Sequence, residues 1–226
     1  MSEQESLRPL GAGARKELEA ATAAYQGNLG VGESLLLEAR GLEEAVVAFA
    51  RLGVVADPFP GHHGMVGFLS IPYLDRNGLP LTIRFRCLEE HDHRAHGHGK
   101  YMSVADDPSR TYNIGAIHEA AATGEPIHVC EGELDALVLT QLGLHAVAIP
   151  GASGWNRRHS YMLAGFNEIY VWGDPDEAGD RFSAKVLRSM RAARRVRLDH
   201  SVGDVTDTYL AGGREAVLQA LKEASQ

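Results

Sequence analysis

Carboxylates carry most of the chemistry this sequence could perform. Glu131-Gly132-Glu133-Leu134-Asp135 follows the apolar run Ile127-His128-Val129-Cys130, and Asp174-Pro175-Asp176-Glu177 follows Glu168-Ile169-Tyr170-Val171-Trp172. A third pair, Asp204 and Asp207, stands beyond another short apolar segment at Val196 to Leu198. Acids placed just past neighbouring strands of an open α/β sheet converge where such sheets bind ligands. Hard oxygen donors with little Cys or His among them suit Mg²⁺ or Mn²⁺. The pattern therefore points to metal-assisted chemistry on phosphates.

Each pair also has a plainer explanation. Acids favour helix N-termini, where the macrodipole stabilises them, which would account for Glu131 and Asp135. Asp174 or Asp176 could simply cap a helix, and Asp204 and Asp207 could be turn or capping residues. Three successive strand ends all carrying acids shift the balance towards a shared cation site. An EF-hand loop fits poorly, because Ala178 stands where a ligand is needed and Lys185 where the bidentate glutamate belongs.

Alternation of strands and helices after Gly124 would position these groups. Strands are expected at 127–130, 145–149, 168–172 and 196–198. Helices are expected from about Leu134 to Leu142, from Glu177 to Arg194 and from Gly213 to Glu223. Such alternation implies a mostly parallel sheet with right-handed crossovers. Upstream, helical spacing marks Gly13 to Tyr25, Glu33 to Ala39 and Leu42 to Leu52, which together read as a small packed subdomain. Strand-like runs at Val66 to Ile71 and Leu79 to Phe85 flank the turn Asp75-Arg76-Asn77-Gly78, a hairpin signature. Polar loops are expected at 89–99, at Asp106-Asp107-Pro108 and, rich in glycine, at Pro150-Gly151-Ala152-Ser153-Gly154.

Other side chains compete for a role. His91, His93, His96 and His98 could bind zinc, although a mobile insertion with incidental affinity for transition metals is the simpler reading. Gly97-His98-Gly99-Lys100 lacks the glycine spacing of a P-loop. Arg181, Lys185, Arg188, Arg191 and Arg195 recur at helical spacing and could guide a nucleic-acid backbone, or be the solvated face of a helix. Trp155, Asn156, Arg157 and Arg158 could stack or touch phosphate, but packing explains them equally well.

The totals are those of a globular protein: 226 residues, 44% apolar and 23% charged. The acidic start, Met1 to Ser6, lacks the apolar core of a signal peptide, and no stretch could span a membrane. Two cysteines, Cys87 and Cys130, are too few for a disulfide framework or a four-cysteine zinc site, so a cytoplasmic location is expected. A formal charge of −8 opposes nucleic-acid binding unless basic residues are segregated while carboxylates hold cations. Weak, salt-sensitive binding or dependence on a partner follows from that.

In order, Glu131-Gly132, Gly151, Asp174-x-Asp176 with Ala178-Gly179, and Asp204-x-x-Asp207-x-x-Leu210 resemble the TOPRIM domain of bacterial-type primases, topoisomerases and some nucleases. Glu38-Ala39-Arg40-Gly41-Leu42, Phe49-x-x-Leu52-Gly53, Ile71-Pro72-Tyr73-x-Asp75-x-x-Gly78, Arg84-Phe85-Arg86 and Lys100-Tyr101 look like successive landmarks of a primase catalytic core. The resemblance covers roughly residues 20–223.

It implies an α/β fold: a TOPRIM-type, mostly parallel sheet flanked by helices at 121–226, after a smaller mixed α+β primase-like subdomain at 1–120. Glu131, Asp174 and Asp176 would then be the central metal-binding, catalytic acids, with Asp135, Asp204 and Asp207 supporting. Arg84, Arg86, Lys100 and Tyr101 would lie on the groove holding template and nucleotides. The implied activity is DNA-directed synthesis of short RNA primers from nucleoside triphosphates on single-stranded DNA with Mg²⁺ or Mn²⁺. A TOPRIM-type nuclease or a non-catalytic replisome module are the alternatives, and a topoisomerase lacks room for its cleavage-tyrosine domain. Family primases often show two acids separated by one residue at the last site, whereas two residues separate Asp204 from Asp207. The family's N-terminal zinc ribbon and C-terminal helicase-binding segment find no counterpart in this sequence. A stand-alone core is therefore expected, as in a compact phage or plasmid system, working with a separate zinc-ribbon protein and replicative helicase.

Overall fold

The computed structural model describes residues 9–105, 107–151 and 154–225. The start Met1 to Ser6, Asp106 of one expected loop, and Ala152 and Ser153 of the glycine loop lie outside the described residues. The chain divides into two compact units, Met1–Leu35 with Val47–Arg110, and Leu36–Val46 with Thr111–Gln226. Helices α1 (Ala12–Gly27), α2 (Val31–Glu38) and α3 (Glu44–Phe49) do not form a subdomain of their own, because α2 and α3 each cross this division.

In the first unit, α1 packs on an antiparallel sheet of β1 (Gly53–Val54), β2 (Leu69–Leu74), β3 (Pro80–Arg86) and β4 (Tyr101–Met102), in that order. Ala21 and Tyr25 of α1 meet Val55, Phe68, Ile83 and Phe85 in its core. Gly53 is required there, since a Cβ would stand 2.2 Å from the Tyr25 backbone. The hairpin forms at the expected turn: the Asp75 carboxylate accepts from the amides of Asn77 (2.8 Å) and Leu79 (3.1 Å). Its first strand starts at Leu69 and not at Val66, because Gly67 turns the chain at φ +80° and leaves Val66 exposed.

The second unit runs α4 (Gly115–Thr123), β5 (Ile127–Cys130), α5 (Glu133–Gln141), β6 (Ala146–Ala148), α6 (Arg157–Met162), β7 (Ile169–Trp172), α7 (Glu177–Ser189), β8 (Ala193–Arg195) and α8 (Val205–Ala224). Its strands are parallel in the order β6-β5-β7-β8. One face of the sheet presents Ile127, Val129, Val147, Ile169 and Val171, packed with residues of α4, α6 and α7. Side chains alternate along strands, so His128 and Tyr170 take the other face. There the Tyr170 hydroxyl meets Ser225 just past α8 (2.9 Å), and α5 packs against α8.

Three boundaries depart from the periodicity, the strand expected at 196–198 forming instead at 193–195. The helix expected to reach Arg194 ends at Ser189, since Met190 turns extended (φ −130°, ψ 108°) and buries itself in the core, so that 193–195 can pair with β7. Burial of Met190 and Val196 outweighs the charged pattern. The last helix begins at Val205, with a kink at Gly213 (φ 62°) where the sequence suggested a start.

Candidate functional site

The strand order places the acids. The chain leaves β5, pairs β6 on one side of it, then crosses to place β7 on the other. Helices α5 and α7, which follow β5 and β7, lie on opposite faces of the sheet. Between β5 and β7 the winding reverses, and at such a switch point the carboxyl ends of two strands part to leave a crevice. Glu131 follows β5 and Asp174 follows β7 at this crevice, and the Asp174 amide donates to Glu131 Oε1 at 3.3 Å.

Glycines let the backbone fold tightly here. A Cβ on Gly179 would lie 2.1 Å from the Asp174 carbonyl oxygen, and one on Gly173 would lie 2.3 Å from Ser183 Oγ and 2.6 Å from the Gly179 carbonyl oxygen. Asp176 caps α7, accepting from the Gly179 amide at 2.7 Å. Asp204 caps α8 and exchanges hydrogen bonds with Asp207 in a capping box, the Asp207 amide donating to Asp204 at 2.8 Å. The capping explanation thus holds for Asp176, Asp204 and Asp207, and the same caps carry their carboxylates to the crevice. Asp135, 7% exposed, accepts from the amide (3.1 Å) and hydroxyl (2.8 Å) of Thr206, tying α5 to the first turn of α8.

Electrostatics show the convergence. Burial, then the charges of Asp174 and Asp176, push Glu131 up to about 7. Burial, then Asp204, Asp176 and Asp207, raise Asp174 to about 6. Burial, then Asp204, raise Asp135 to about 8 against the opposing hydrogen bonds of Thr206. Asp174 is thus the hub of the six expected acids, acting electrostatically with each of the other five. The buried Cys130 thiol lies beneath them, its pKa raised by burial and by the charges of Asp135, Asp174, Glu131 and Asp204. Repelling carboxylates in a partly desolvated crevice are a donor set that a hard divalent cation neutralises, so the residues present fit Mg²⁺ or Mn²⁺. Among the described residues, the set of ligand atoms drawn within 4.8 Å of one another is Cys87, His91, His93 and His98.

Three contributors were not singled out as part of the site from the sequence. Thr206 orients Asp135, and its position inside the Asp204–Asp207 capping box is the signal that could have found it. Gly173 permits the close turn after β7. Arg195, read as part of a helical stripe, instead sits on β8, pairs with Asp180 (2.5 Å) and draws Glu131 back towards its charged form. The stripe itself is divided, with Arg181, Lys185 and Arg188 on α7 and Arg191 in the turn after it. Trp155 belongs to the core, its indole donating to Ser189 at 2.8 Å. Arg157, Lys185 and Arg188, with Asn156 and Ser160, line an open groove of about 330 Å³ beside it.

In the first unit, Arg84 and Arg86 share one face of β3, and Arg86 pairs in register with Tyr101 of β4. The two guanidinium carbons lie 4.6 and 5.3 Å from the centre of the Tyr101 ring, and Arg86 donates to the Tyr101 hydroxyl at 2.9 Å. Arg86 is only 6% exposed, whereas Lys100 is exposed.

Residues 128–208 match the Toprim-like family. The gene 57 protein of Mycobacterium phage D29 is 28% identical over 159 residues, 69% of this chain and 98% of the phage protein. The fold matches the Aquifex aeolicus primase, zinc-binding and RNA polymerase domains, with a TM-score of 0.77 and 17% identity. That match covers 93% of this chain and 60% of the other, so the chain spans less than two thirds of that primase. The RNA polymerase domain of Mycobacterium tuberculosis primase DnaG, in complex with a DNA duplex bearing an overhang, matches with a TM-score of 0.77 and 16% identity over 94% of this chain and 80% of that one. The chain has the fold of primase catalytic cores, and its residues 128–208 are similar to the Toprim-like family. No helix among the described residues is long and apolar enough to cross a membrane.

Proposed function

We propose that this chain is a DNA primase core that makes short RNA primers on single-stranded DNA from nucleoside triphosphates. The observation that carries the reading is the convergence of Glu131, Asp174, Asp176, Asp135, Asp204 and Asp207 at the β5–β7 switch point of a Toprim-like domain. Glu131, Asp174 and Asp176 hold Mg²⁺ or Mn²⁺. When bound, the cation supplies Lewis-acid stabilisation of charge on the attacking and leaving oxygens of phosphoryl transfer. Asp204 and Asp207 add negative charge that draws the cation in, and Asp135 holds the α8 terminus that presents them. Arg84, Lys100 and Tyr101 meet nucleic acid or nucleotide by charge and stacking, while the buried Arg86 fixes the Tyr101 ring. The Arg157–Lys185–Arg188 groove offers a further phosphate-binding surface. With a net charge of −8, binding is salt-sensitive and is helped by a separate zinc-ribbon protein or replicative helicase, in a cytoplasmic replication setting.

Labelled nucleotides, Mn²⁺ and single-stranded templates test this directly. Short template-dependent RNA is expected from the wild type and none from Asp174→Asn. No product from the wild type, even beside a zinc-ribbon partner, overturns the assignment. One observation favours a second reading, a metal-dependent nuclease: a Glu131 carboxyl poised near 7 suits a general acid or base. Incubation with labelled DNA and RNA but no nucleotides separates the two, because only a nuclease shortens the strand. Mn²⁺ titration separates both enzymes from a scaffolding module, in which the wild type and Asp174→Ala would be equally silent.

A further inference from the structure

The polar, histidine-rich connection between β3 and β4 is folded by its own hydrogen bonds. The Asp92 carboxylate accepts from the amides of Arg94 and Ala95, the His98 amide donates to the His93 carbonyl (3.0 Å), and the Cys87 amide donates to the Lys100 carbonyl (2.9 Å). The last of these carries the β3–β4 ladder one step past Arg86. No apolar core is available to hold the rest of the connection, since 89–97 is exposed or half-buried throughout.

We propose that Cys87, His91, His93 and His98 form a closed structural Zn²⁺ site that staples the end of β3 to the start of β4. One ligand atom from each of the four lies within 4.8 Å of the others. The hydrogen bonds identify which atoms are available. His91 Nδ1 faces the Glu89 carboxylate at 3.3 Å, leaving Nε2, which stands 3.7 Å from Cys87 Sγ. His98 Nδ1 faces the Gly99 carbonyl at 3.1 Å, leaving its Nε2. His93 Nδ1 is buried with no hydrogen-bond partner. Cys87 is also buried, 7% exposed.

A tetrahedral zinc ion with bonds of about 2.3 Å to sulfur and about 2.0 Å to nitrogen has S···N edges of about 3.6 Å. The Cys87–His91 separation already has that length. A carboxylate and a backbone carbonyl on the far nitrogens of two ligating histidines are the outer contacts that fix ring tautomer and orientation at zinc sites. Stacking of neutral imidazoles would bring the rings together but would leave the buried His93 Nδ1 unsatisfied. A thiolate with three imidazoles selects zinc, whereas the carboxylate crevice of the other unit selects hard cations, so the two sites load independently. His96 stands outside the set, its Nδ1 facing the Asp92 carbonyl at 3.0 Å. Strand β4 is only two residues long, and the staple secures the pairing that holds Tyr101 beside Arg84 and Arg86.

The full chain, free of any histidine tag and stripped with a chelator, is reloaded with Zn²⁺ and separately with Co²⁺. One Zn²⁺ per chain is expected, and the Co²⁺ form gives intense tetrahedral visible bands with a thiolate charge-transfer band. Cys87→Ser removes the charge-transfer band and His93→Ala abolishes stoichiometric binding. Glu89→Gln, which leaves the four ligands in place, weakens binding by about tenfold or more. His96→Ala and Asp174→Asn leave stoichiometry and spectrum unchanged. The proposal is overturned if the wild type binds no stoichiometric ion or gives weak octahedral bands. Binding indifferent to Cys87→Ser, or equally lost in His96→Ala, also overturns it. Should Cys87→Ser or His93→Ala fail to fold, the wild-type spectrum and the Glu89→Gln affinity decide the matter.

Discussion

Replacing Asp174 by Asn is expected to stabilise the metal-free protein while removing its function. The Asp174 carboxyl is raised from its ordinary 3.8 to about 6, chiefly by burial and by the charges of Asp204, Asp176 and Asp207. At about 1.4 kcal/mol per pK unit, holding it ionised costs the folded state at most about 3 kcal/mol. The side chain is partly exposed, so solvent screening reduces this to about 1–2 kcal/mol. In a protein of this size that corresponds to a rise in melting temperature of about 3–6 °C. The sign follows from proton binding. Between 3.8 and about 6 the folded state holds the proton more tightly than the unfolded chain, so wild-type stability falls as pH rises through that window. The gain from Asn is therefore full above about 6, shrinks as pH drops and vanishes below 3.8. Thermal melts of wild type and variant in chelator, at about pH 8 and about pH 5, read the effect. Saturating Mg²⁺ is expected to raise the wild-type melt at the higher pH and leave the variant unmoved. A variant melting at or below the wild type at about pH 8 would refute the reasoning, because the acids would then not be repelling one another.

Three further substitutions probe the scaffold. Gly179→Ala forces a Cβ to 2.1 Å from the Asp174 carbonyl oxygen, and a loss of about 1–3 kcal/mol is expected in denaturant titrations, with no primer synthesis. Thr206→Val withdraws the hydroxyl donating to buried Asp135 and is expected to cost about 1–3 kcal/mol, whereas Thr206→Ser, which keeps the hydroxyl, costs less; equal losses would contradict the role given to that bond. Gln141→Leu removes the amide that donates to the Gly41 carbonyl and accepts from the Glu43 amide. Hydrogen exchange at Glu43 is then expected to quicken several-fold, for a loss of about 1 kcal/mol, with the sheet amides unaffected.

Local signals were legible where one residue type decides the geometry. The Asp75–Gly78 turn, the strand at Ile127–Cys130 and the acids after β5 and β7 could all be read from neighbours in sequence. What escaped was decided by distant partners. The pattern of Arg181, Lys185, Arg188, Arg191 and Arg195 reads as one helix, but burial of Met190 against a sheet assembled from other segments ends it early. The segment Leu36–Val46 looks continuous with its helical neighbours, yet it joins the second unit through Gln141, far along the chain. Asp204 and Asp207 announce a cap; that this cap delivers charge to Asp174 depends on α8 packing beside β7. The histidine tract shows most clearly what composition alone omits, since Cys87 lies at the end of a strand outside the tract.

The central claim is that acids following β5 and β7 and capping α8 form one cation-binding crevice. Anomalous scattering from a Mn²⁺-soaked crystal tests it most directly. Manganese density bounded by Glu131, Asp174 and Asp176 at the mouth of β5 and β7, absent from Asp174→Asn crystals, is the expected result. Well-ordered crystals with that crevice free of manganese at saturating concentration would contradict the account.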